Sequence, residues 1–487
     1  MIRLWSARLI VLVLVVVILS GFGASTEAGI SSAPQAIPNY VFDIVLDYPR
    51  HSLDAVERVT VPNPAGKPLS ELVFNVPAAH EVGTFLLHQV LVGISPADFD
   101  FLGTILTVTL PSVLLTNEAV TVTLDVTVLP GRIDDGGVES FAAANLGFTD
   151  DVMTVGYWYP ILAPYQPGRG WLIVPWHTVG DPFASEVADY TATITATHGV
   201  EIVAGGETSR EDNVWHFDLP RGRTFAFLAS PNYLCMDVTL GGVTYSLYTF
   251  VEHTHLMPVA MQTIVRSAWL YSALYGPYPY ATLRVAEVSG PWSMEFTGLA
   301  TLGAEEFADY NGTQRNRLVR IAAHEVSHQW WYGVVGNDQA REPWLDESLA
   351  RFNELRYYEF YSPGDAWWWW DTVLANSEPH RMVDSSVYDF HFHNSYIGVV
   401  YNRGAILWDA LRAQMGAQAF DEFMRDWYQR GAFRLVTFDD LLSVLAEHSR
   451  ADLRPVMRRY LSAASFEMLR SSDTDPVRPA SQDRGRE

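Results

Sequence analysis

Short runs of alternating hydrophobic and polar residues fill the chain between residues 38 and 248. Side chains along a strand point to opposite faces in turn, so a period of two is typical of strands with one buried face. Residues that favour turns, such as Pro111 and Asn117, separate the runs. This pattern predicts an N-terminal β-rich domain, a β-sandwich or a saddle-like sheet, over residues 38–248. The clearest runs are residues 40–46, 106–110, 119–124, 190–195 and 243–248.

The hydrophobic period becomes that of helices from about residue 249. Hydrophobic residues three and four positions apart form one face of a helix. The pattern predicts a second, α+β domain over residues 249–470, with a strand over residues 284–288. The residues after 470 are rich in Ser, Asp, Pro and Arg, and this composition predicts a disordered tail over residues 471–487. Helices are predicted over residues 257–274, 312–332, 344–361, 403–415, 420–430 and 438–461.

Residues 1–28 have the pattern of an export signal. Arg3 and Arg8 precede an apolar run over residues 9–19, and small residues follow it. The run is short for a membrane-spanning helix and suits the core of a signal peptide. It predicts either a cleaved signal peptide or an uncleaved N-terminal anchor. Both place the body of the protein outside the cytoplasm, as a secreted, periplasmic or cell-surface protein.

The net charge argues against one class of partner, and the cysteine content excludes an intrachain disulfide. The chain has 56 acidic and 32 basic residues, a net charge of −24, and no basic patch stands out. This balance argues against a nucleic-acid partner. Cys235 is the only cysteine of the sequence, so no intrachain disulfide can form. No other stretch is long and apolar enough to span a bilayer, so any membrane attachment is expected through the N-terminal segment alone.

The candidate chemistry lies in residues 324–347. His324 and His328 are four residues apart, so on a helix they share a face and can bind one ion together. Glu347, nineteen residues after His328, would add a carboxylate oxygen as the third ligand. Three protein ligands leave one position for water, which is typical of a catalytic zinc site. Glu325 would then act as general base, and we expect one Zn²⁺ per chain.

The same stretch resembles a known family. His-Glu-Val-Ser-His-Gln-Trp-Trp followed by Pro-Trp-Leu-Asp-Glu-Ser-Leu-Ala is similar to the aminopeptidase N family of gluzincin zinc metallopeptidases. That family has H-E-x-x-H, eighteen residues and a glutamate. Residues 275–280, Ser-Met-Glu-Phe at 293–296 and Val-Tyr-Asn-Arg-Gly-Ala at 400–405 resemble further family segments in the same order. The resemblance covers about residues 38–462 and implies that the second domain is thermolysin-like.

The resemblance also implies roles for two residues outside the zinc motif. Tyr401 would donate a hydrogen bond to the oxyanion that forms when water attacks the scissile carbonyl. Glu295 would bind the α-ammonium group of a substrate with a free N-terminus. The chain departs from the family pattern at Phe296, where the family has asparagine, and at Arg403, where it usually has lysine. Glu354 is either an exposed helix carboxylate or a support for the ligands.

These observations predict an exported zinc-dependent aminopeptidase of peptide catabolism. It would remove N-terminal residues by metal-activated water attack, and its partners would be peptides with a free N-terminus. Two alternatives stay open. One is a zinc endopeptidase with the same metal site, in which Glu295 does not bind an amine. The other is a catalytically inactive family member that binds peptides.

Overall fold

A computed structural model of the chain describes residues 36–133, 145–463 and 465. The predicted signal segment, residues 1–28, and the predicted tail, residues 471–487, lie outside these residues. Within them, every helix is too short or too polar to cross a bilayer. A region of strands precedes a region of helices, so the predicted order of a β-rich and an α+β domain is confirmed.

The strands are numbered in chain order. They are β1 Asn39–Asp47, β2 Ser52–Pro62, β3 Leu69–Asn75, β4 Phe85–Val92, β5 Ser95–Pro96, β6 Phe99–Leu102, β7 Ile105–Leu114, β8 Ala119–Val128, β9 Gly131–Arg132, β10 Leu146–Phe148, β11 Met153–Val155, β12 Ile161–Leu162, β13 Tyr165–Gln166, β14 Gly170–Trp171, β15 Ala188–Ala196, β16 Glu201–Ala204, β17 Glu207–Glu211, β18 Val214–Gly222, β19 Phe227–Ser230, β20 Leu234–Leu240, β21 Val243–Thr249, β22 Thr282–Val288, β23 Leu299–Gly303, β24 Val335–Gly336 and β25 Arg434–Leu435.

An eight-stranded sheet is the largest layer of the N-terminal region. Its order is β17-β18-β15-β1-β2-β8-β4-β5, with β1 parallel to β15 and antiparallel to β2. Tyr40, Phe42, Ile44 and Leu46 of β1 are all buried and lie two residues apart, as the sequence pattern predicts. Two smaller sheets, β12-β3-β7-β6 and β16-β19-β11-β10-β9, and the two-stranded sheet β13-β14 complete the strand-rich region. Apolar faces of these sheets form its core.

Glu57 interrupts the apolar face of β2. It lies opposite Phe42 in the register and is fully buried, between the buried positions Ala55 and Val59. Neither of its carboxylate oxygens has a hydrogen-bond partner among the described residues. Burial therefore raises the pKa of Glu57 well above its ordinary value of 4.5.

We expect Glu57→Gln to stabilise the protein at pH 8 and to change its stability little at pH 4.5. The folded state holds the Glu57 proton more tightly than the unfolded state, so stability falls as pH rises above the unfolded pKa. Between the unfolded-state pKa and the folded-state pKa of Glu57, the free energy of unfolding falls by about 1.4 kcal/mol for each pH unit. Urea denaturation of both proteins at the two pH values measures the difference. The exposed Glu71→Gln on β3 is the matched control, and an equal gain at both pH values would contradict the prediction.

The helices follow from residue 257. They are α1 Met257–Leu274, α2 Ala304–Ala308, α3 Arg317–Ser327, α4 Glu347–Tyr361, α5 Ala366–Ala375, α6 His393–Tyr396, α7 Gly404–Met415, α8 Ala417–Gly431, α9 Phe438–His448 and α10 Arg454–Tyr460.

A four-stranded sheet, β20-β21-β22-β23, accompanies these helices. β21 is parallel to β22, and β22 is parallel to β23. The predicted boundary between residues 248 and 249 therefore falls inside β21, whose last residue is Thr249, and so divides a strand of this sheet. The division of the chain at that point stays a prediction.

Two predicted helices differ from the observed ones. The helix predicted over residues 312–332 covers only Arg317–Ser327, because the Asn316 side chain accepts a hydrogen bond from the Leu318 N–H and caps it. Its C-cap is His328, so the helix ends before the predicted residue 332. The helix predicted over residues 438–461 is two helices, α9 and α10, with Pro455 in the first turn of the second.

Arg223 joins the strand-rich region to the helical region. It is buried, and its guanidinium donates hydrogen bonds to the carbonyl groups of Ser185, Tyr332, Val334 and Arg434. Burial lowers the pKa of Arg223 from its ordinary value. Because a buried cation needs every donor satisfied, this contact fixes the loop before β15 against the segment that follows α3.

Candidate metal centre

His324, His328 and Glu347 converge where α3 meets the start of α4. The Nε2 atoms of His324 and His328 are 3.2 Å apart. Each of these nitrogens lies 3.3 Å from Oε2 of Glu347. All three side chains are buried. Asp346 caps α4 by accepting a hydrogen bond of 2.8 Å from the Glu347 N–H, so the ligand stands in the first turn of its helix.

The spacing of the three donor atoms fits a zinc ion. Zinc bonds to histidine nitrogen and carboxylate oxygen are about 2.0–2.2 Å long, which places tetrahedral ligand atoms about 3.3–3.5 Å apart. The observed separations are 3.2 and 3.3 Å. Two imidazoles and one carboxylate also leave a position for water, as catalytic zinc sites do. These three residues are thus the ones that would hold zinc.

The hydrogen bonds of the two Nδ1 atoms set the tautomers of His324 and His328. Nδ1 of His324 is 3.0 Å from Oε1 of Glu354, and Nδ1 of His328 is 3.0 Å from the Trp331 carbonyl oxygen. A carboxylate and a carbonyl only accept, so each Nδ1 donates. The Nε2 lone pairs then face one another and the Glu347 carboxylate in a buried space. A cation between them removes this repulsion, and that is the arrangement of a metal site.

The two neighbouring histidines favour the ionised form of Glu347. Burial by itself raises the pKa of this carboxyl, but His328 and His324 outweigh it and hold the pKa well below its ordinary value. For His324, burial acts to lower the pKa, while hydrogen bonds to Glu347 and Glu354 raise it to about 9. Zinc therefore competes with protons at this site, and binding is expected to release them.

Glu354 is the carboxylate that orients His324. It is fully buried. Besides the histidine, it accepts hydrogen bonds from Arg351 at 2.8 and 3.1 Å and from the Trp369 indole N–H at 2.8 Å. The alternative of an exposed helix carboxylate is therefore wrong, because α5 brings Trp369 across this face of α4.

We expect Glu354→Gln to weaken zinc binding about 10- to 100-fold. Glutamine keeps the shape of the side chain but removes the charge that fixes the His324 tautomer. Competition with a zinc chelator measures the affinity of wild type and variant. The exposed Glu305→Gln on α2 is the control, and equal affinities in wild type and Glu354→Gln would contradict this role.

Glu325 lies on α3 next to the first histidine and is buried. Its Oε2 atom has no hydrogen-bond partner among the described residues. Burial raises the pKa of Glu325 to about 8, and the two neighbouring histidines act against this. A carboxylate whose pKa lies near neutral pH can both take and return a proton.

Tyr401 faces the centre from a π-helical segment, Ile397–Arg403. Its ring is parallel to that of His324, at an interplanar angle of 3° and a centroid distance of 5.6 Å. Burial first and then the Glu347 carboxylate raise the pKa of the Tyr401 phenol. The phenol therefore keeps its proton and can donate a hydrogen bond at the centre. Single π-helical turns of this kind are frequent at functional sites.

Glu295 lies between β22 and β23, beside the metal group. Its Oε1 atom accepts a hydrogen bond of 3.0 Å from the side-chain amide of Gln339. An oxygen of Glu295 lies within 4.8 Å of an oxygen of Glu347. Gln329, directly after His328, binds the Phe296 carbonyl at 3.1 Å and the Gly298 N–H at 2.8 Å, and so fixes this segment against α3.

Residues 268–460 match the Peptidase family M1 domain. In this domain the chain is therefore similar to peptidase family M1. It is 27% identical over 323 residues to aminopeptidase N of Streptomyces lividans, a match that covers 60% of this chain and 37% of the relative. It is 22% identical over 254 residues to glutamyl aminopeptidase of Sus scrofa, covering 48% and 26% of the two chains. The matches thus span well under half the length of these curated relatives.

Solved structures show the same two-domain fold as this chain. One is the M1 zinc metallopeptidase of Deinococcus radiodurans, with a TM-score of 0.63, 19% identity, and coverage of 90% of this chain and 94% of that one. Another is a two-domain M1 zinc metallopeptidase bound to L-tryptophan, with a TM-score of 0.62, 20% identity, and coverage of 91% and 96%. The family resemblance and the fold class predicted from the sequence are confirmed.

The structure brings the predicted site residues together around one buried point, although their roles stay predictions. It also adds residues that sequence reasoning missed: Gln329, Gln339 and Asp181, of which an oxygen of Asp181 lies within 4.8 Å of oxygens of Glu295 and Glu347. Asp181 stands between a glycine and a proline, a composition that is typical of an ordinary turn. Nothing in its neighbours pointed to the metal.

Proposed function

We propose that this protein is an exported zinc aminopeptidase that releases single residues from the N-termini of peptides. The observation that carries the proposal is the buried Glu295 carboxylate, whose oxygen lies within 4.8 Å of the candidate ligand Glu347. A carboxylate at this distance can bind an α-ammonium while the first carbonyl group of the peptide lies at the metal. Names of curated relatives, such as aminopeptidase N, support the same reaction.

The chain supplies a base and a hydrogen-bond donor for peptide hydrolysis. Zinc held by His324, His328 and Glu347 would act as a Lewis acid and lower the pKa of a water molecule to about 7. Glu325 would take the proton of the attacking water and pass it to the leaving amine. The Tyr401 phenol would donate a hydrogen bond to the carbonyl oxygen as negative charge develops there.

The class of substrate is supported by the fold neighbours as well. The structure of one M1 zinc metallopeptidase variant of Deinococcus radiodurans is described as bound to the substrate Tyr-Ser-Ala, and a two-domain M1 zinc metallopeptidase as bound to L-arginine. A tripeptide and a free amino acid both carry an α-ammonium group. We infer peptides with a free N-terminus as substrates of this chain too, with one Zn²⁺ per chain.

Export is proposed from residues 1–28 alone. Their two arginines, short apolar run and small residues suit a secretory signal or an N-terminal anchor. The protein would then act in the medium, in a periplasm or at a cell surface. Fusion of these residues to a reporter enzyme that is active only outside the cytoplasm tests this. Reporter activity is the expected result, and a fusion protein that is made in the cell but stays inactive would refute export.

The reaction is tested with zinc-loaded protein that lacks residues 1–28. Peptides in free and N-acetylated forms are incubated with it, and mass spectrometry identifies the products. Loss of single N-terminal residues from the free peptides alone is the expected result. Internal cleavage of both forms would indicate an endopeptidase. No cleavage of either form, with zinc bound, would favour the inactive peptide-binding protein.

A further inference from the structure

Arg351 lies on the face of α4 that points at the metal centre. Glu347, Arg351 and Glu354 are separated by four and then three residues, so they follow one face of the helix. Arg351 is only 6% exposed. It stands between the candidate zinc ligand and the carboxylate that orients His324. The proposed reaction uses both carboxylates but not the cation between them.

Glu354 fixes one side of the Arg351 guanidinium. Its Nη1 atom donates to Oε1 and Oε2 of Glu354 at 2.8 and 3.1 Å. Because both side chains are buried and the hydrogen bonds are charge-assisted, the guanidinium has a defined position. Its Nε atom has no hydrogen-bond partner among the described residues. The pairing with Glu354 alone therefore does not satisfy this buried cation.

The face of the Tyr401 ring is the other contact of the guanidinium. The Cζ atom of Arg351 lies 5.5 Å from the centroid of that ring. A guanidinium within about 6 Å of an aromatic centroid is attracted by the π electrons, and more strongly where water is excluded. One side chain thus connects the carboxylate behind His324 with the phenol that faces the metal centre.

Neutralising Glu354 does not by itself require Arg351. A second cation, Arg320, has its Nη1 atom 3.5 Å from Oε2 of Glu354, and the Trp369 indole donates to the same oxygen at 2.8 Å. The contact that Arg351 adds to these is the one with Tyr401. Its position on α4 therefore points to a role at that ring.

The other neighbours of the Tyr401 ring are aromatic. His324 stacks on it, and Tyr396 meets it edge-on with ring centroids 5.5 Å apart. Aromatic pairs of this kind occur over a range of offsets, with centroids about 4.5–7 Å apart. A charge fixed over the ring face favours one position within that range. The direction of the phenol O–H is then set by Arg351 as well as by packing.

We propose that Arg351 is a positioning residue for Tyr401, whose ring it holds so that the phenol points at the carbonyl oxygen of the substrate. The inference rests on the proposed function, in which Tyr401 donates that hydrogen bond as negative charge develops. Misplacing a reacting group by about 1 Å can cost about 100-fold in rate. Arg351 therefore contributes to kcat without contacting the substrate.

The kinetic test is a double-mutant cycle between Arg351→Gln and Tyr401→Phe. Glutamine can still donate a hydrogen bond to Glu354 but places no charge over the ring. With Tyr401 present, Arg351→Gln is expected to lower kcat about 3- to 30-fold with KM unchanged. With Tyr401→Phe, its effect should be less than about 2-fold, because the phenol that Arg351 positions is absent. An equal loss in both backgrounds, or no loss in either, would overturn the proposal.

The cycle is measured with zinc in excess and with bound zinc counted in every sample. A change in metal affinity through Glu354 then does not lower kcat. Arg356→Gln, on the same helix, is the matched control. It removes an arginine that pairs with Asp421 at 3.2 Å, and it should leave kcat and KM unchanged.

Arg351→Lys keeps the test decisive if circular dichroism shows that Arg351→Gln does not fold. Lysine retains the charge but lacks the planar guanidinium, so it is not a conservative change at a stacked site. The same cycle is then measured with this variant, and a loss of kcat confined to the Tyr401 background is expected. A loss of equal size in both backgrounds, or no loss at all, would overturn the proposal.

Fluorine NMR tests the inference without turnover. 3-Fluorotyrosine is placed at position 401 of the zinc-loaded protein, with Arg351 and with Arg351→Gln. The signal is expected to broaden or split in Arg351→Gln, because the ring then occupies more than one position, and to stay sharp in Arg356→Gln. If wild type cleaves nothing, the proposed function fails, and this measurement still decides the role of Arg351. A signal in Arg351→Gln as sharp as that of wild type would overturn the proposal.

Discussion

Glu325→Gln is expected to lower kcat about 10²- to 10⁴-fold, the range for loss of a general base, while zinc stays bound. Glutamine has the size and shape of glutamate, so the buried position beside His324 keeps its packing. It cannot take a proton from water. Since burial raises the pKa of Glu325 to about 8, the wild-type carboxyl can return the proton to a leaving amine near neutral pH, and the variant cannot.

Steady-state kinetics on a free peptide and zinc analysis of the same samples check this expectation. The exposed Glu305→Gln on α2 serves as the control for removing one negative charge. The loss should appear in kcat with little change in KM, because the base acts only as the reaction proceeds. A variant with full zinc and unchanged kcat would remove Glu325 from the mechanism.

Glu347→Gln is expected to have an effect of comparable or greater size through a different cause, the loss of the metal. Oε2 of Glu347 is 3.3 Å from both histidine nitrogens, and the histidines hold this carboxyl ionised. A neutral amide is a poor zinc ligand and leaves two lone pairs facing each other. Activity should fall to that of metal-free wild type, because free water has a pKa of about 15.7 against about 7 on zinc.

Zinc content after dialysis, and activity after zinc is added back, measure this second effect. Circular dichroism of wild type and variant checks that the fold is retained. Glu354→Gln is the graded comparison, since it should only weaken binding. A Glu347→Gln protein that keeps one zinc and full activity would show that another residue completes the ligand set.

The two variants separate the base from the ligand. Loss of activity with zinc retained is expected only for Glu325→Gln, and loss of both only for Glu347→Gln. If Glu325→Gln also lost its zinc, Glu325 itself would take part in metal binding. The two variants therefore test separate roles for Glu325, on α3, and Glu347, at the start of α4.

The sequence by itself determined the features that depend on local spacing. The period of two gave strands such as β1, with Tyr40 and Phe42 inside, and the four-residue separation of His324 and His328 placed both on one face of α3. Helix geometry fixes that relation whatever surrounds it. Zinc-ligand chemistry added Glu347 and motif resemblance added Tyr401 and Glu295, and the structure brings them to the same point.

Only the tertiary structure decided the contacts between distant segments. Asp181, Gln339 and Glu354 have no spacing that relates them to the histidines, and each reaches the centre because a loop or a helix packs there. Burial of Glu354 depends on α5, and the aim of Asp181 depends on Gly180 and Phe183. Packing between elements far apart in the chain sets these positions. The hydrophobic periodicity of the sequence does not predict that packing.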